Sequence, residues 1–258
     1  MTVAVPDELL AFAATLAEAS GPIIRSYFAS GVAVEDKADR SPVTAADKEA
    51  EAAIRALIER HYPEHGIVGE EYGSLRPDAD YVWVLDPVDG TKAFIVHKLT
   101  FGTLIALSHR GRPVLGVIDQ PVLGHRWLGA TGHPTTFNGA PVRGRSCKTI
   151  AEARVNSTAA DLFTAEQFPR FMRVARQAKF CHWGGDCYGF GLVASGYIDL
   201  AVEAGLKTHD FMALVPIIEG AGGRVTDWSG RSLDMGSDGT IIAAGDPALI
   251  APTVALLA

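Results

Sequence analysis

The segment Asp86-Pro87-Val88-Asp89-Gly90-Thr91 sets two carboxylates three residues apart, followed at once by a glycine and a hydroxyl. At the end of a strand, such a segment can aim both acids into one cavity. Apposed like charges are unfavourable unless cations neutralise them, and oxygen-only ligation favours a hard ion such as Mg2+. Gly90 allows close backbone approach, and a helix beginning near Thr91 would offer its N–H groups to a phosphate. The plainer alternative is an acidic strand-to-helix turn in which Asp89 is only a cap.

Other acids have bland explanations when taken singly. Glu70-Glu71 follows Gly66-Ile67-Val68-Gly69, a strand end, and paired acids on a loop are usually solvated. Thr44-Ala45-Ala46-Asp47 has the form of a capping box. Asp210 precedes the apolar run Phe211–Ile218 and reads as a helix N-cap.

The elements that must position these residues are legible from periodicity. Residues 7–29 carry a helical apolar stripe, with Gly21-Pro22 expected to kink or divide it. Gly31 to Pro42 reads as a loop, and a second helix runs from about Ala45 to His61. Tyr81–Leu85 is wholly apolar, as in a strand buried on both faces. Thr100–Ser108 and Val114–Asp119 form a hairpin about His109–Pro113, with another strand at His125–Ala130. The second half alternates: a strand near Arg154–Ser157, a helix near Thr164–Ala178, a helix around Phe190–Ser195 and a strand at Tyr197–Glu203. A helix from Phe211 to Glu219, strands near Gly223–Thr226 and Thr240–Ala244, and a terminal helix near 247–257 complete the set. Mixed strands and helices in layers imply an α/β or α+β sandwich.

Bulk properties narrow the function. The 258 residues are 48% hydrophobic and 21% charged, ordinary values for a globular protein. A net charge of −7 disfavours nucleic acid or an anionic membrane surface as partner. No apolar run approaches the ~20 residues of a membrane span, and the first residues lack a signal-peptide pattern. Three cysteines without CxxC spacing suit a reducing compartment, so a cytoplasmic enzyme is expected. Cys181, His182 and Cys187 are poorly spaced for zinc.

Together, three segments resemble the inositol monophosphatase superfamily: Lys37 to Asp47 (KADRSPVTAAD), Gly69-Glu70-Glu71 leading to Trp83–Phe94 (WVLDPVDGTKAF), and Thr208-His209-Asp210 before Ala221-Gly222-Gly223. The resemblance implies a layered αβαβα sandwich. It also implies one catalytic domain over residues 1–258, with a metal-binding half to about 140 and a substrate-selecting half beyond. It implies two or three Mg2+ ions acting on a small phosphate monoester. Glu70, Asp86 and the Val88 carbonyl would hold the first ion, and Asp86, Asp89 and Asp210 the second. Glu70, with Asp47 and Thr91 as a hydrogen-bonding pair, would orient and deprotonate a water. Gly90 and Thr91 N–H groups, and Lys37 from its loop, would meet the phosphate. A homodimer is implied as well. Two departures stand out: His209 replaces the Trp of many relatives, and residues 131–139 lack the usual glycine-alanine pattern.

Substrate choice is expected in the second half. Gly185 to Asp199 (GDCYGFGLVASGYID) and Val202 to Gly223 look like the histidinol-phosphate phosphatase branch, which serves histidine biosynthesis. Asp186 and Glu203 would place two acids in the leaving-group pocket, where an ammonium or imidazole gains charge-assisted hydrogen bonds. The structural alternatives are an N-cap for Asp186 and a surface acid for Glu203. The runner-up substrate is inositol 1-phosphate or a similar polyol phosphate. A 3′-phosphoadenosine nucleotidase and a non-catalytic metabolite-binding protein follow.

Overall fold

The computed structural model describes residues 4–30, 34–36 and 42–258. In chain order the first elements are α1 (Asp7–Ser30), β1 (Val34–Asp36), β2 (Pro42–Thr44), α2 (Ala45–His61), β3 (Gly66–Gly69), β4 (Gly73–Leu75), β5 (Tyr81–Asp89) and α3 (Thr91–Ile95). Strands β6 (Gly102–His109), β7 (Arg112–Gln120), β8 (His125–Ala130), β9 (His133–Phe137) and β10 (Ala140–Pro141) follow. Then come β11 (Arg154–Ser157), α4 (Gln167–Gln177), β12 (Phe180–Trp183), α5 (Asp186–Ala194) and β13 (Leu200–Glu203). The chain ends with α6 (Thr208–Phe211), α7 (Leu214–Gly220), β14 (Arg224–Thr226), β15 (Ile241–Ala244) and α8 (Ile250–Leu257).

Strand periodicity builds the layers. In the eight-stranded sheet, ordered β10-β9-β8-β7-β6-β5-β3-β4, alternate residues of β5 and β6 enter different cores. Trp83, Leu85, Ile105 and Leu107 pack with Leu9, Phe12, Leu16, Ile54 and Ile58 of α1 and α2. Val82, Val84, Leu104 and Ala106 face the other way, onto Phe190 and Val193 of α5 and Leu214, Ile217 and Ile218 of α7. The five-stranded sheet, ordered β12-β11-β13-β15-β14, contributes Ala201, Ile241 and Ala243 to that same middle core. Its opposite face (Leu200, Val202, Ile242, Ala244) meets Phe171 and Val174 of α4 and Leu257 of α8. The result is the αβαβα sandwich.

Local departures from expectation have local causes. Helix α1 runs unbroken through Pro22, because a buried stripe from Leu9 to Ile24 holds it against the sheet while the lost N–H affects one carbonyl. Residues 34–36 and 42–44 pair as antiparallel strands where a loop was expected. The apolar run after Asp210 is two helices, and Pro216 falls in the first turn of α7, where its missing N–H needs no partner. Residues 131–139 form hairpins; Asn138 and Gly139 both take positive φ (48° and 80°), the conformation an Asn-Gly turn supplies. Helix α5 begins at Asp186 instead of near Phe190.

Candidate active site

Strands β3 and β5 are parallel, with Gly69 opposite Leu85, so Glu70 and the Asp86–Asp89 segment lie at the same end of the first sheet. In a regular strand, residues three apart point to opposite faces. Here the β5–β6 register shifts between Asp86 and Asp89, with Asp86 opposite Leu104 and Asp89 opposite Gly102. This bulge inserts one extra residue on β5 and re-aims the side chains, so both acids line the same cavity. Pro87 has no N–H to lose there, and the Val88 N–H is satisfied by Asp86 Oδ1 at 3.1 Å.

Gly90 then turns the chain into α3 with φ +79°, a left-handed conformation suited to glycine. A Cβ at this position would lie 2.9 Å from Asp186 Cγ. The bare backbone therefore lets the two halves of the cavity wall meet.

The second sheet delivers its residues in the same manner. Parallel β11 and β13 end beside one another, and Thr158 donates to Glu203 Oε1 from its N–H (3.1 Å) and its hydroxyl (2.7 Å). Glu203 is 1% exposed, which excludes the surface-acid alternative. Asp186 takes φ +43° at the first position of α5, and its carboxylate accepts from the Thr100 hydroxyl instead of capping its own helix. The adjacent Cys187 N–H donates to Asp89 Oδ2 at 2.7 Å. Asp210 is the third residue of the one-turn helix α6, not its N-cap; its Oδ2 accepts from the Lys207 N–H at 2.7 Å.

These groups surround a cavity of about 250 Å3 lined by Glu70, Asp86, Val88, Asp89, Gly90, Thr91, Asp186, Glu203, His209 and Asp210, among others. Single oxygens of Asp86, Asp89 and Asp210 lie within 4.8 Å of one another, as do ligand atoms of Glu70, Asp86 and His209. Burial, then the charges of Glu70, Asp89, Asp210 and Asp47, holds the Asp86 carboxyl well above the usual carboxylate range. Burial and Asp210 do the same to Asp89. Asp210 is raised by burial, with His209 opposing. Carboxylates held against their own ionisation fit a divalent cation, and the Asp86, Asp89 and Asp210 trio is an all-oxygen donor set suited to a hard ion.

Asp47 stands behind this group, not in the cavity lining. Burial lifts its carboxyl to about 6, against hydrogen bonds from Thr44. Its Oδ2 accepts from the Thr44 N–H and hydroxyl, while the Thr91 hydroxyl donates to the Val88 carbonyl at 3.2 Å. The expected Asp47–Thr91 hydrogen bond is therefore replaced by local ones, Thr44 to Asp47 and Thr91 to Val88, each between residues three apart in sequence. Lys37 lies outside the described residues.

Sequence reasoning passed over Glu51. Buried on α2, it accepts from the N–H groups of Glu71 (2.8 Å) and Tyr72 (3.1 Å) and pairs with Arg55 at 3.1 Å. A Cβ on Gly69 would overlap its carboxylate, so that glycine admits the acid that holds the Glu70 loop. An acid four residues after Asp47, on the buried stripe with Ala50 and Ile54, was the available signal. Thr100, Thr158 and Cys187 carried no such signal, because their partners come from distant segments.

Residues 5–257 match the inositol monophosphatase family, a family of phosphatases, and the chain belongs to it. Its relatives include the bifunctional phosphatase IMPL2, chloroplastic, of Arabidopsis thaliana, 47% identical over 93% of this chain and 72% of the relative. A histidinol-phosphatase of Chlorobaculum parvum is 36% identical over 92% of each chain. An inositol monophosphatase structure from Zymomonas mobilis superposes with a TM-score of 0.90 at 47% identity, covering 97% of this chain and 98% of that one. Among the described residues, no helix is long and apolar enough to cross a membrane.

Proposed function

We propose that the protein hydrolyses L-histidinol phosphate to L-histidinol and phosphate, using Mg2+ held by Glu70, Asp86, Asp89, Asp210 and the Val88 carbonyl. The observation that carries this reading is the joint placement of Asp186 and Glu203 in the wall of the acid-lined cavity. Burial lifts the Glu203 carboxyl to about 8, against the Thr158 hydrogen bonds, and burial also raises Asp186. Two desolvated acids stabilise a leaving group that brings its own positive charge, as an ammonium and an imidazole do. A neutral polyol would use them only as hydroxyl acceptors. The likeness to the Chlorobaculum histidinol-phosphatase agrees with this choice.

A bound divalent cation would offset phosphoryl charge and acidify the attacking water. Glu70 would orient that water and take up its proton, with Asp47 behind it. The Gly90 and Thr91 N–H groups would donate to phosphoryl oxygens, while Asp186 and Glu203 would fix the departing alcohol.

The test is phosphate release from histidinol phosphate and inositol 1-phosphate, side by side with Mg2+. The reading requires kcat/KM for histidinol phosphate to be at least about tenfold higher, roughly 1.4 kcal/mol of discrimination. Comparable values for both would sink the assigned specificity, and no release from either would remove the catalytic reading.

A further inference from the structure

His209 and Asp210 are neighbours on the single turn of α6, and both line the cavity. The His209 side chain is 13% exposed, and its Nε2 stands 3.4 Å from Asp210 Oδ1. One ring nitrogen of His209 lies within 4.8 Å of oxygens of both Glu70 and Asp86, which themselves meet that limit. Donors at ~2.1 Å from a common ion are separated by up to roughly 4.2 Å. Three donors sharing one ion must lie closer together than that on average, so side-chain adjustments of up to roughly 1 Å bring all three to one cation.

Asp86 belongs to both groups, so two cation positions would share it. Their donors differ in kind. The Asp86, Asp89 and Asp210 position is all oxygen, whereas the Glu70, Asp86 and His209 position adds an imidazole nitrogen. Carboxylate oxygens suit Mg2+, while an imidazole shifts preference toward first-row divalent cations, with affinity rising from Mn2+ to Cu2+ and falling again at Zn2+. An indole, which stands at this place in many relatives, has no lone pair to offer a cation.

We infer that His209 is a ligand of a divalent cation held with Glu70 and Asp86, making this position a mixed nitrogen–oxygen site that takes a first-row cation in preference to Mg2+. The inference deepens the metal-dependent phosphatase reading and rests on it. The paired position at Asp89 and Asp210 keeps its all-oxygen character and its fit to Mg2+. Asp210 Oδ1, close to Nε2, is positioned to polarise the imidazole or to shift away when a cation arrives.

The experiment uses the full chain, Mn2+ as a paramagnetic probe, and no substrate. Pulsed EPR of the Mn2+-loaded protein should show coupling to a 14N nucleus, converted to 15N coupling when histidine is isotopically labelled. His209→Leu should abolish that coupling and weaken one class of Mn2+ site, measured by calorimetry, by about tenfold or more. Mg2+ affinity should change less than about threefold, under 0.7 kcal/mol. His209→Gln provides a polar replacement should the leucine variant fold poorly, and the labelling result in the unaltered protein needs no variant. Bound Mn2+ without histidine nitrogen coupling overturns the inference, as does coupling that survives in His209→Leu. Either result leaves Mg2+-dependent phosphate release intact, so it is distinct from failure of the parent reading, in which neither cation binding nor phosphate release occurs.

Discussion

The Cys187 N–H donates to Asp89 Oδ2 at 2.7 Å, joining the first turn of α5 to the end of β5. One oxygen of a cavity-lining acid is thus held by the segment that carries Asp186. This contact also lowers the cost of ionising Asp89, which burial and Asp210 otherwise raise.

Asp89→Asn separates these roles. The amide oxygen can still accept from Cys187, so the fold is retained and thermal stability in EDTA does not fall. Removing one negative ligand should reduce phosphate release by about 100-fold or more, the scale of losing a preorganised electrostatic group. Parallel Mg2+ titrations and thermal melts check both statements.

Asp186→Asn removes a charge while preserving a residue that tolerates the φ of +43°. A charge-assisted hydrogen bond contributes about 1.5–3 kcal/mol, so kcat/KM for histidinol phosphate should fall about 10- to 100-fold. Inositol 1-phosphate, if cleaved, should change less than about threefold. Equal losses on both substrates would mean that Asp186 only shapes the backbone.

Stability without metal should depend on pH through Glu203. Its carboxyl titrates at about 8 in the fold, against 4.5 for the ordinary group. Between these values the folded state binds more protons than the unfolded chain, so stability falls as pH rises and levels off above the folded value. Glu203→Gln removes this contribution. Denaturant melts in EDTA should show the variant gaining on the parent between pH 5 and 8, by a difference on the order of 3 kcal/mol.

Glu51→Gln places an amide NH2 against one of two backbone N–H groups that the carboxylate now satisfies. An unsatisfied buried donor costs about 1–3 kcal/mol. The melting temperature should drop by several degrees. Phosphate release should fall about tenfold as Glu70 loses its fixed position. An unchanged rate with a lowered melting point would confine Glu51 to stability.

Much of the architecture was readable because it is local or periodic. The stripes of α1 and α2 and the apolar run of β5 follow from the burial each element requires. The Asp-Pro-Val-Asp-Gly-Thr segment was readable because its chemistry is packed into adjacent residues. Element ends were less so: α5 starts at Asp186 because distant Thr100 and Asp89 hold that turn, and the run after Asp210 breaks into two helices.

By itself the sequence determined the succession of helices and strands and the acids available to a cation, since hydrophobic period and residue type are carried within each segment; the order of the layers was only what the family resemblance implied. Only the tertiary structure decided that Asp86 and Asp89 face one cavity. Their odd spacing would divide them across a regular strand, and the extra residue opposite β6 reverses that parity. It also replaced the expected Asp47–Thr91 bond with contacts to Thr44 and Val88, and it set His209 beside Glu70 and Asp86. These are relations between segments remote in the chain, fixed by packing of the two sheets on their shared helices.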